Sequence, residues 1–328
     1  MHILNNTEHV KKLQKQLSPI LIPISYIYQG AVYLKNILYD KSVKTPEHFD
    51  KIKIISVGNI AVGGVGKTPV VIEIANRLKK YGSVCIITNA YTAEDKRTNI
   101  VAFNGHIFKK PPSIADETYL IAKKTYVNVI SSKDRRRAIL LSRDMKSDYV
   151  ILDDGLQKRN ISRDYDICVV DKQSIYEDGH YLPAGFLRDS KASINRCDFL
   201  ICVDKKGIAN KAFECNEAKV VVKGIFGGQS ENSRKKSAFL FCGIGKPLGF
   251  LKSVKDLGID VKGYRFFDDH HIYSDSEIDA LKKEKEKCGA DLLLTTYKDF
   301  VKLNTDGICY LDISLEIENI DKIIDRIR

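Results

Sequence analysis

The chain reads as an α/β protein: a parallel sheet with helices on both faces, then a smaller C-terminal α/β domain, with an apolar helix at the N-terminus. Three observations predict this. Short apolar runs alternate with helical patterns between residues 52 and 203, the order that feeds a parallel sheet through crossover helices. A glycine-rich turn, Gly63-Gly-Val-Gly66, joins the first such run to the first helical pattern. Beyond a polar, glycine-rich stretch at residues 224–236, a second strand–helix alternation begins. The 328 residues suit about two domains, and 44% hydrophobic residues supply a sizeable core.

In chain order, residues 1–16 are polar and mixed and form no signal peptide. Residues 17–34 carry no charge, but Pro19, Pro23, Gln29 and Gly30 interrupt them. The stretch is too short and too broken to span a bilayer. Its tyrosines (Tyr26, Tyr28, Tyr33) and flanking lysines (Lys11, Lys12, Lys15, Lys35) suit a membrane interface. The same pattern suits a helix packed on the domain, and the residues alone leave both readings open. Residues 52–57 form a strand and 68–80 a helix. Strands are expected at 83–88 and 127–131, a helix at 135–145, and a strand at 149–152 that ends in Asp153-Asp154. Further strands fall at 166–171 and 199–203. After 224–236, read as a linker, come a strand at 238–242, helices at 248–257 and 274–287, strands at 291–296 and 309–313, and a last helix at 320–327. The division is therefore 1–40, a core domain at 41–223, the linker, and a second domain at 237–328.

The net charge is +11, which suits an acidic partner such as nucleic acid, anionic lipid or a phosphorylated substrate. No compact lysine- or arginine-rich arm points to nucleic acid. The eight cysteines are scattered, without a Cys-x-x-Cys pair, as expected of reduced core thiols and not of a zinc site.

The glycine turn carries the chemistry. A strand, a glycine loop and a helix point backbone N–H groups at a phosphate, and the helix dipole adds partial positive charge. Residues Val62, Gly63, Gly64, Val65, Gly66, Lys67, Thr68 and Pro69 form the candidate ATP site of a P-loop NTPase-like sheet. Lys67 is suited to the β- and γ-phosphates and Thr68 to Mg²⁺. The strict pattern asks for glycine where Ala61 stands; Gly63, Gly64 and Gly66 still supply the freedom of φ that a phosphate nest needs. The alternative is a plain strand-to-helix turn. A strand ending in aspartate is the usual second half of such a site, and either Asp153 or Asp154 fits as the carboxylate that meets the metal. Asp116 suits a helix N-cap or a general base. His270 and His271 suit a structural role or a proton relay. Spacing does not pair Asp116 with His270, which fall in different expected domains.

Taken together, Val57-Gly-Asn, Gly63-Gly-Val-Gly-Lys-Thr-Pro69, Asp116-Glu117, Asp153-Asp-Gly-Leu-Gln157, Arg163-Asp164, Leu182-Pro-Ala-Gly185 with Leu187-Arg188, Phe241-Cys-Gly-Ile-Gly245, Asp269-His-His271 and Thr296-x-Lys298-Asp299 resemble the tetraacyldisaccharide 4′-kinase family, in order and over nearly the whole chain. The resemblance implies transfer of the γ-phosphoryl of ATP, with Mg²⁺, to the 4′-hydroxyl of a tetraacylated disaccharide 1-phosphate lipid, giving lipid IVA. It implies peripheral attachment to the cytoplasmic face of the bacterial inner membrane, with residues 1–40 as the membrane-associating helix. It also implies that Asp116 and His270 act together on the sugar hydroxyl across the two domains. By the same resemblance, Glu117 joins Thr68, Asp153 and Asp154 around the metal, and Gln157, Lys158 and Arg188 face the substrate. The chain departs from the family at Asn89, where an arginine is common, at Lys158, where histidine is usual, and at Phe186 and Asp189. Two other classes compete with the kinase. A nucleotide switch would carry a lysine where Val62 stands, or a guanine-reading Asn-Lys-x-Asp, which the chain lacks. An inactive binding protein would have no use for Lys67, Thr68 and the carboxylates.

Overall fold

The structure is a computed structural model that describes residues 16–91, 93–171, 179–203, 215–228, 237–245, 247–303 and 305–328. The chain forms two compact units: one runs to Val220 and resumes at Leu315–Arg328, and the other is Val221–Ser314.

The larger unit opens with helix α1 (Ser18–Asp40). Then come β1 (Lys53–Gly58), α2 (Lys67–Leu78), β2 (Val84–Thr88), the short β3 (Asn99–Phe103) and β4 (His106–Ile107), and α3 (Asp116–Thr125). β5 (Asn128–Ser131), α4 (Arg135–Asp144), β6 (Tyr149–Asp153), β7 (Tyr165–Val170), β8 (Phe199–Val203) and the start of β9 (Asn216–Gly227) follow. Across the sheet the strands run β9, β8, β7, β1, β6, β2, β5, all parallel, with β3 and β4 antiparallel at the edge. The sequence reading has no β3–β4 hairpin. In register, Val57 of β1 stands beside Asp153 of β6, so the first glycine loop and the acidic pair leave neighbouring strands at the same edge. That edge, outside the carboxyl ends of the strands, is where open α/β sheets bind ligands.

The central strands are buried on both faces, which is why they read as continuous apolar runs. On one face Ile54, Cys85, Ile87, Ile130, Val150 and Leu152 meet Ala138 and Ile139 of α4. On the other, α2 buries Val70, Val71, Ile74, Ala75 and Leu78 completely. α1 docks by one narrow side. Tyr28 and Val32 pack on a cluster that includes Ile60, Leu156 and Tyr181. The Ser25 hydroxyl donates to the Tyr181 carbonyl at 2.6 Å, and the Asn36 amide donates to Asp189 at 2.8 Å. Its other side leaves Ile20, Ile24, Tyr26, Ile27, Tyr33 and Leu34 exposed, Ile27 by 75%. Among the described residues no helix is long and apolar enough to cross a membrane.

The smaller unit contains β10 (Ser237–Cys242), α5 (Pro247–Asp256), β11 (Asp260–Phe266), α6 (Asp275–Lys287), β12 (Leu292–Thr296), α7 (Tyr297–Phe300) and most of β13 (Ile308–Ile317). Its strands run β11, β10, β12, β13, all parallel. α6 starts in a capping box between Ser274 and Glu277, which satisfies two helix-end donors reciprocally. The stretch expected as a linker opens inside β9. There Gly227 takes φ +84°, and a Cβ on it would sit 2.9 Å from the Ile308 carbonyl, so this glycine serves close strand approach. Residues 229–236 lie outside the described ones, as do residues 1–15 of the N-terminal segment. The chain then returns through β13 to α8 (Ile320–Ile327), which the sequence reading gave to the second domain but which belongs with the larger unit. Ile320, Ile323, Ile324 and Ile327 are buried, and the Lys53 ammonium donates to the carbonyls of Ile327 and Arg328 at 3.0 and 2.6 Å.

Candidate active site

The loop after β1 is held from the side by residues 186–189. Val62 N–H donates to the Phe186 carbonyl at 2.9 Å, and the amides of Arg188 and Asp189 donate to the Ile60 carbonyl at 2.8 and 3.1 Å. Gly63 takes φ +125° and Gly66 takes φ +90°, values open to glycine and strained for other residues. A Cβ on Gly63 or Gly64 would meet nothing within 4 Å, so the loop faces open space. Gly66 is the N-cap of α2 and offers no side-chain cap. The first amides of that helix are therefore presented to whatever the loop binds. Thr68 and Pro69 form its first turn.

Lys67 points back over the loop. Its ammonium is 3.4 Å from the Gly63 carbonyl and 3.7 Å from Asp154 Oδ1. Arg188 forks both carboxylate oxygens of Asp154 at 2.7 Å each and also donates to the Asn59 carbonyl at 3.1 Å. Gln157 donates to that same carbonyl at 2.8 Å. Gln157 and Arg188 therefore brace the base of the glycine loop, and Arg188 commits its guanidinium to the acidic pair. Lys158 is half-buried, and its carbonyl accepts from Arg163 at 2.8 Å.

The two carboxylates differ in environment. Asp153 is 8% exposed at the end of β6. Burial, then the charges of Asp154 and Glu117, push its carboxyl up to about 7. Burial also pushes Asp154 up, but the Arg188 fork, Lys67 and Arg135 together outweigh it and hold that carboxyl below the usual range. Asp154 itself takes φ +56°, and a Cβ on the next residue, Gly155, would come within 2.8 Å of Leu152 and Ser56. The Asp-Asp-Gly turn is thus fixed by close packing.

Beneath Asp153 lies a residue that the sequence reading missed. Arg135, the first residue of α4, is 4% exposed. Its guanidinium donates to the Ile87 carbonyl at 2.7 Å and the Asp153 carbonyl at 2.6 Å, tying the carboxyl ends of β2 and β6. Within Arg135-Arg-Arg137 it reads as one more solvated charge. The only sequence signal is its position just after the N-cap Asp134, at the helix start nearest the strand ends.

Asp116 and Glu117 open α3, but the N-cap is Ala115, without a side-chain cap. The capping role considered for Asp116 therefore falls away, because Asp116 is already the first helical residue. The Thr88 and Thr118 hydroxyls, 2.8 Å apart, pin the start of this helix to the end of β2. Glu117 acts electrostatically on Asp153. Among the described residues no group of three or more His, Cys, Asp or Glu is arranged as a metal cage.

His270 belongs to the smaller unit, and Asp116 to the larger. His270 takes φ +65°, and its amide donates to Gly243 O at 3.2 Å and to Asp269 Oδ1 at 3.0 Å. Behind this turn lies a buried ion pair, Lys302 to Asp299 at 3.1 Å. Asp299 also accepts from Gly243 N–H and the Thr296 hydroxyl, at 3.1 and 2.8 Å, and Lys302 donates to the His271 carbonyl at 2.9 Å. A Cβ on Gly243 would meet Asp268 O and His271 Cβ at 3.0 Å. The turn that shows His270 to solvent is therefore built on Gly243, Asp299 and Lys302.

The chain was compared with known proteins. A sequence-family model described as tetraacyldisaccharide-1-P 4′-kinase matches residues 17–328. A tetraacyldisaccharide 4′-kinase from Aquifex aeolicus is 33% identical over 322 residues, covering 92% of this chain and 96% of that protein. One from Rickettsia bellii is 31% identical over 312 residues, covering 94% and 93%. A crystal structure of LpxK from Aquifex aeolicus, an "apo" form in complex with ATP, matches with a TM-score of 0.79 and 31% identity over 96% of this chain and 99% of that one. With its parallel sheet, its glycine loop and its acidic strand end, the chain belongs to the tetraacyldisaccharide 4′-kinase family.

Proposed function

We propose that this protein transfers the γ-phosphoryl of ATP to the 4′-hydroxyl of a tetraacyldisaccharide 1-phosphate, giving lipid IVA, at the cytoplasmic face of the inner membrane. The observation that carries the reading is the glycine loop. Gly63 and Gly66 stand at positive φ, an uncapped helix follows, and Lys67 is poised between the loop and Asp154. The amides of residues 63–68 cradle the phosphates, and Lys67 neutralises charge on the β- and γ-groups. Mg²⁺ fits here, because Thr68 and Asp153 offer hard oxygen donors and this ion needs only one or two carboxylates beside the phosphates; when bound it offsets charge on the transferred group. Asp154 is forked by Arg188 and lies near Lys67, so it supports this shell through them, with Glu117 in the surrounding field. Asp116 takes the proton of the 4′-hydroxyl as the new O–P bond forms and the β–γ bridge breaks, with His270 its partner in that transfer. A sugar hydroxyl is a poor nucleophile and gains from a positioned base, while most of the barrier falls by position and electrostatics.

The apolar side of α1 lies on the bilayer surface, where Ile20, Ile24, Tyr26, Ile27, Tyr33 and Leu34 contact lipid. The test is γ-labelled ATP with the disaccharide 1-phosphate lipid in detergent. Label in the lipid supports the kinase. Hydrolysis without transfer supports a nucleotide switch, and neither outcome leaves a binding protein. Deleting residues 1–34 should lower pelleting with vesicles; full retention would exclude α1 as the contact.

A further inference from the structure

A basic cleft lies on the same edge of the larger unit, away from the glycine loop. It is open to solvent, has a volume of about 500 Å³ and is lined by the exposed residues Lys96, Arg97, Lys133, Asp134 and Arg137, among others. Its place follows from the topology. Lys133, Asp134 and Arg137 follow the carboxyl end of β5, and Lys96 and Arg97 precede β3, whose first residue, Asn99, pairs with Ser131 at that end. The hydroxyls of Thr98 and Ser132, 2.7 Å apart, join the two walls. β5 is three strands from β1, across β6 and β2. At about 4.8 Å per strand that is about 14 Å from the strand that feeds the phosphate loop, a separation that two linked sugar rings can bridge.

The charge in the cleft is only partly offset. Asp134, the one carboxylate in the lining, caps the amide of Arg137 at 3.1 Å. Arg97 is taken up by Asp95 through two contacts of 3.0 and 3.1 Å. Lys96, Lys133 and Arg137 have no carboxylate partner among the described residues. Lys133 is held over the face of Tyr91, 5.7 Å from its centroid, which orients the stem and leaves the ammonium donors for a ligand. Three unpaired cations around one concavity suit a compact dianion, and a phosphomonoester is the fitting class.

We propose that this cleft seats the phosphate the acceptor already carries at its 1-position, so that the acceptor is held at both ends while its 4′-hydroxyl is presented. The proposal rests on the kinase reading for the identity of the acceptor. Its test is a binding measurement, which does not depend on catalysis. Wild-type protein, the triple variant Lys96→Ala/Lys133→Ala/Arg137→Ala and the single variant Lys133→Glu are titrated calorimetrically with the tetraacyldisaccharide, with and without its 1-phosphate, in neutral detergent micelles at low salt. Wild type should prefer the phosphorylated lipid by about tenfold or more. The triple variant should lose that preference, the Lys133→Glu variant should weaken it, and 0.5 M salt should shrink it. Equal affinity of wild type for the two lipids would overturn the proposal, as would a preference that survives in the triple variant. A parallel arm uses phosphatidylcholine vesicles with and without phosphatidylglycerol. If the triple variant loses only its attraction to the anionic vesicles, the cleft reads the bilayer and the proposal fails. Absence of phosphoryl transfer by wild type would count against the kinase reading alone, since lipid discrimination is read separately.

Discussion

Replacing Arg135 by alanine should both destabilise the larger unit and disturb its acidic edge. The guanidinium makes two short, charge-assisted bonds to the carbonyls of Ile87 and Asp153, each worth about 1.5–3 kcal/mol. Against them stands the desolvation of a 4%-exposed cation, which lowers the pKa of Arg135 although Asp153 and Asp154 raise it. Removal relieves that penalty but strands two strand-end carbonyls and takes a positive charge from beside Asp153. The net loss should be about 2–4 kcal/mol. For a unit of this size that corresponds to a fall in Tm of about 4–16 °C. Urea denaturation followed by circular dichroism measures it. Arg135→Lys keeps the charge but loses the planar fork that meets the two carbonyls from separate nitrogens, so it should recover part of the loss. An alanine variant within about 0.5 kcal/mol of wild type would refute the claim that this residue ties β2 to β6.

The remaining predictions concern the reaction and its supports. Lys67→Ala should abolish phosphoryl transfer with an unchanged circular dichroism spectrum, and substantial residual transfer would undo the phosphate-loop assignment. Asp116→Ala should lower kcat far more than it raises KM for ATP; an unchanged kcat would remove Asp116 as the base. Asp299→Asn leaves Lys302 buried without its partner and should cost about 3–5 kcal/mol, with loss of transfer as the His270 turn loosens; a stable variant with full kcat would show that the pair does not position His270. In EDTA, Asp153 supplies a pH dependence of known sign. Its folded pKa, about 7, lies above that of an exposed aspartate. The folded state thus binds a proton that the unfolded state has lost, and the stabilisation from this group is lost as pH rises through 7. Between pH 8 and pH 5.5 wild type should gain about 2 kcal/mol relative to Asp153→Asn; parallel pH profiles of the two proteins would contradict the raised pKa.

The central sheet was legible because its strands are buried on both faces and therefore announce themselves as near-continuous apolar runs, from Ile54 to Val57 with only Ser56 polar, and from Val150 to Leu152. The glycine loop was legible because the conformations at Gly63 and Gly66 admit few other residues. Arg135 was not, since its burial depends on two carbonyls, at residues 87 and 153, that come together only when β2 pairs with β6. The edge hairpin β3–β4 was missed because its strands are short and partly exposed. Ala115 as the cap of α3 escaped because a capping-type residue, Asp116, stands one position later. α8 was recognised as a helix but given to the wrong neighbourhood, because its stripe of isoleucines says that it packs and not on what.

The return of the chain through β13 makes the smaller unit an internal insertion, not an appendage. Cutting the gene after residue 236 would not yield a minimal nucleotide-binding fragment. It would strip away Ile320, Ile323, Ile324 and Ile327 and leave bare the apolar surface they cover, with Lys53 deprived of its terminal carbonyls. A sound fragment calls for excision instead, with residue 220 respliced to residue 315 through a short turn. The same geometry makes loss of residues 315–328 a lesion in the core of the larger unit, although they lie far from its strands in sequence.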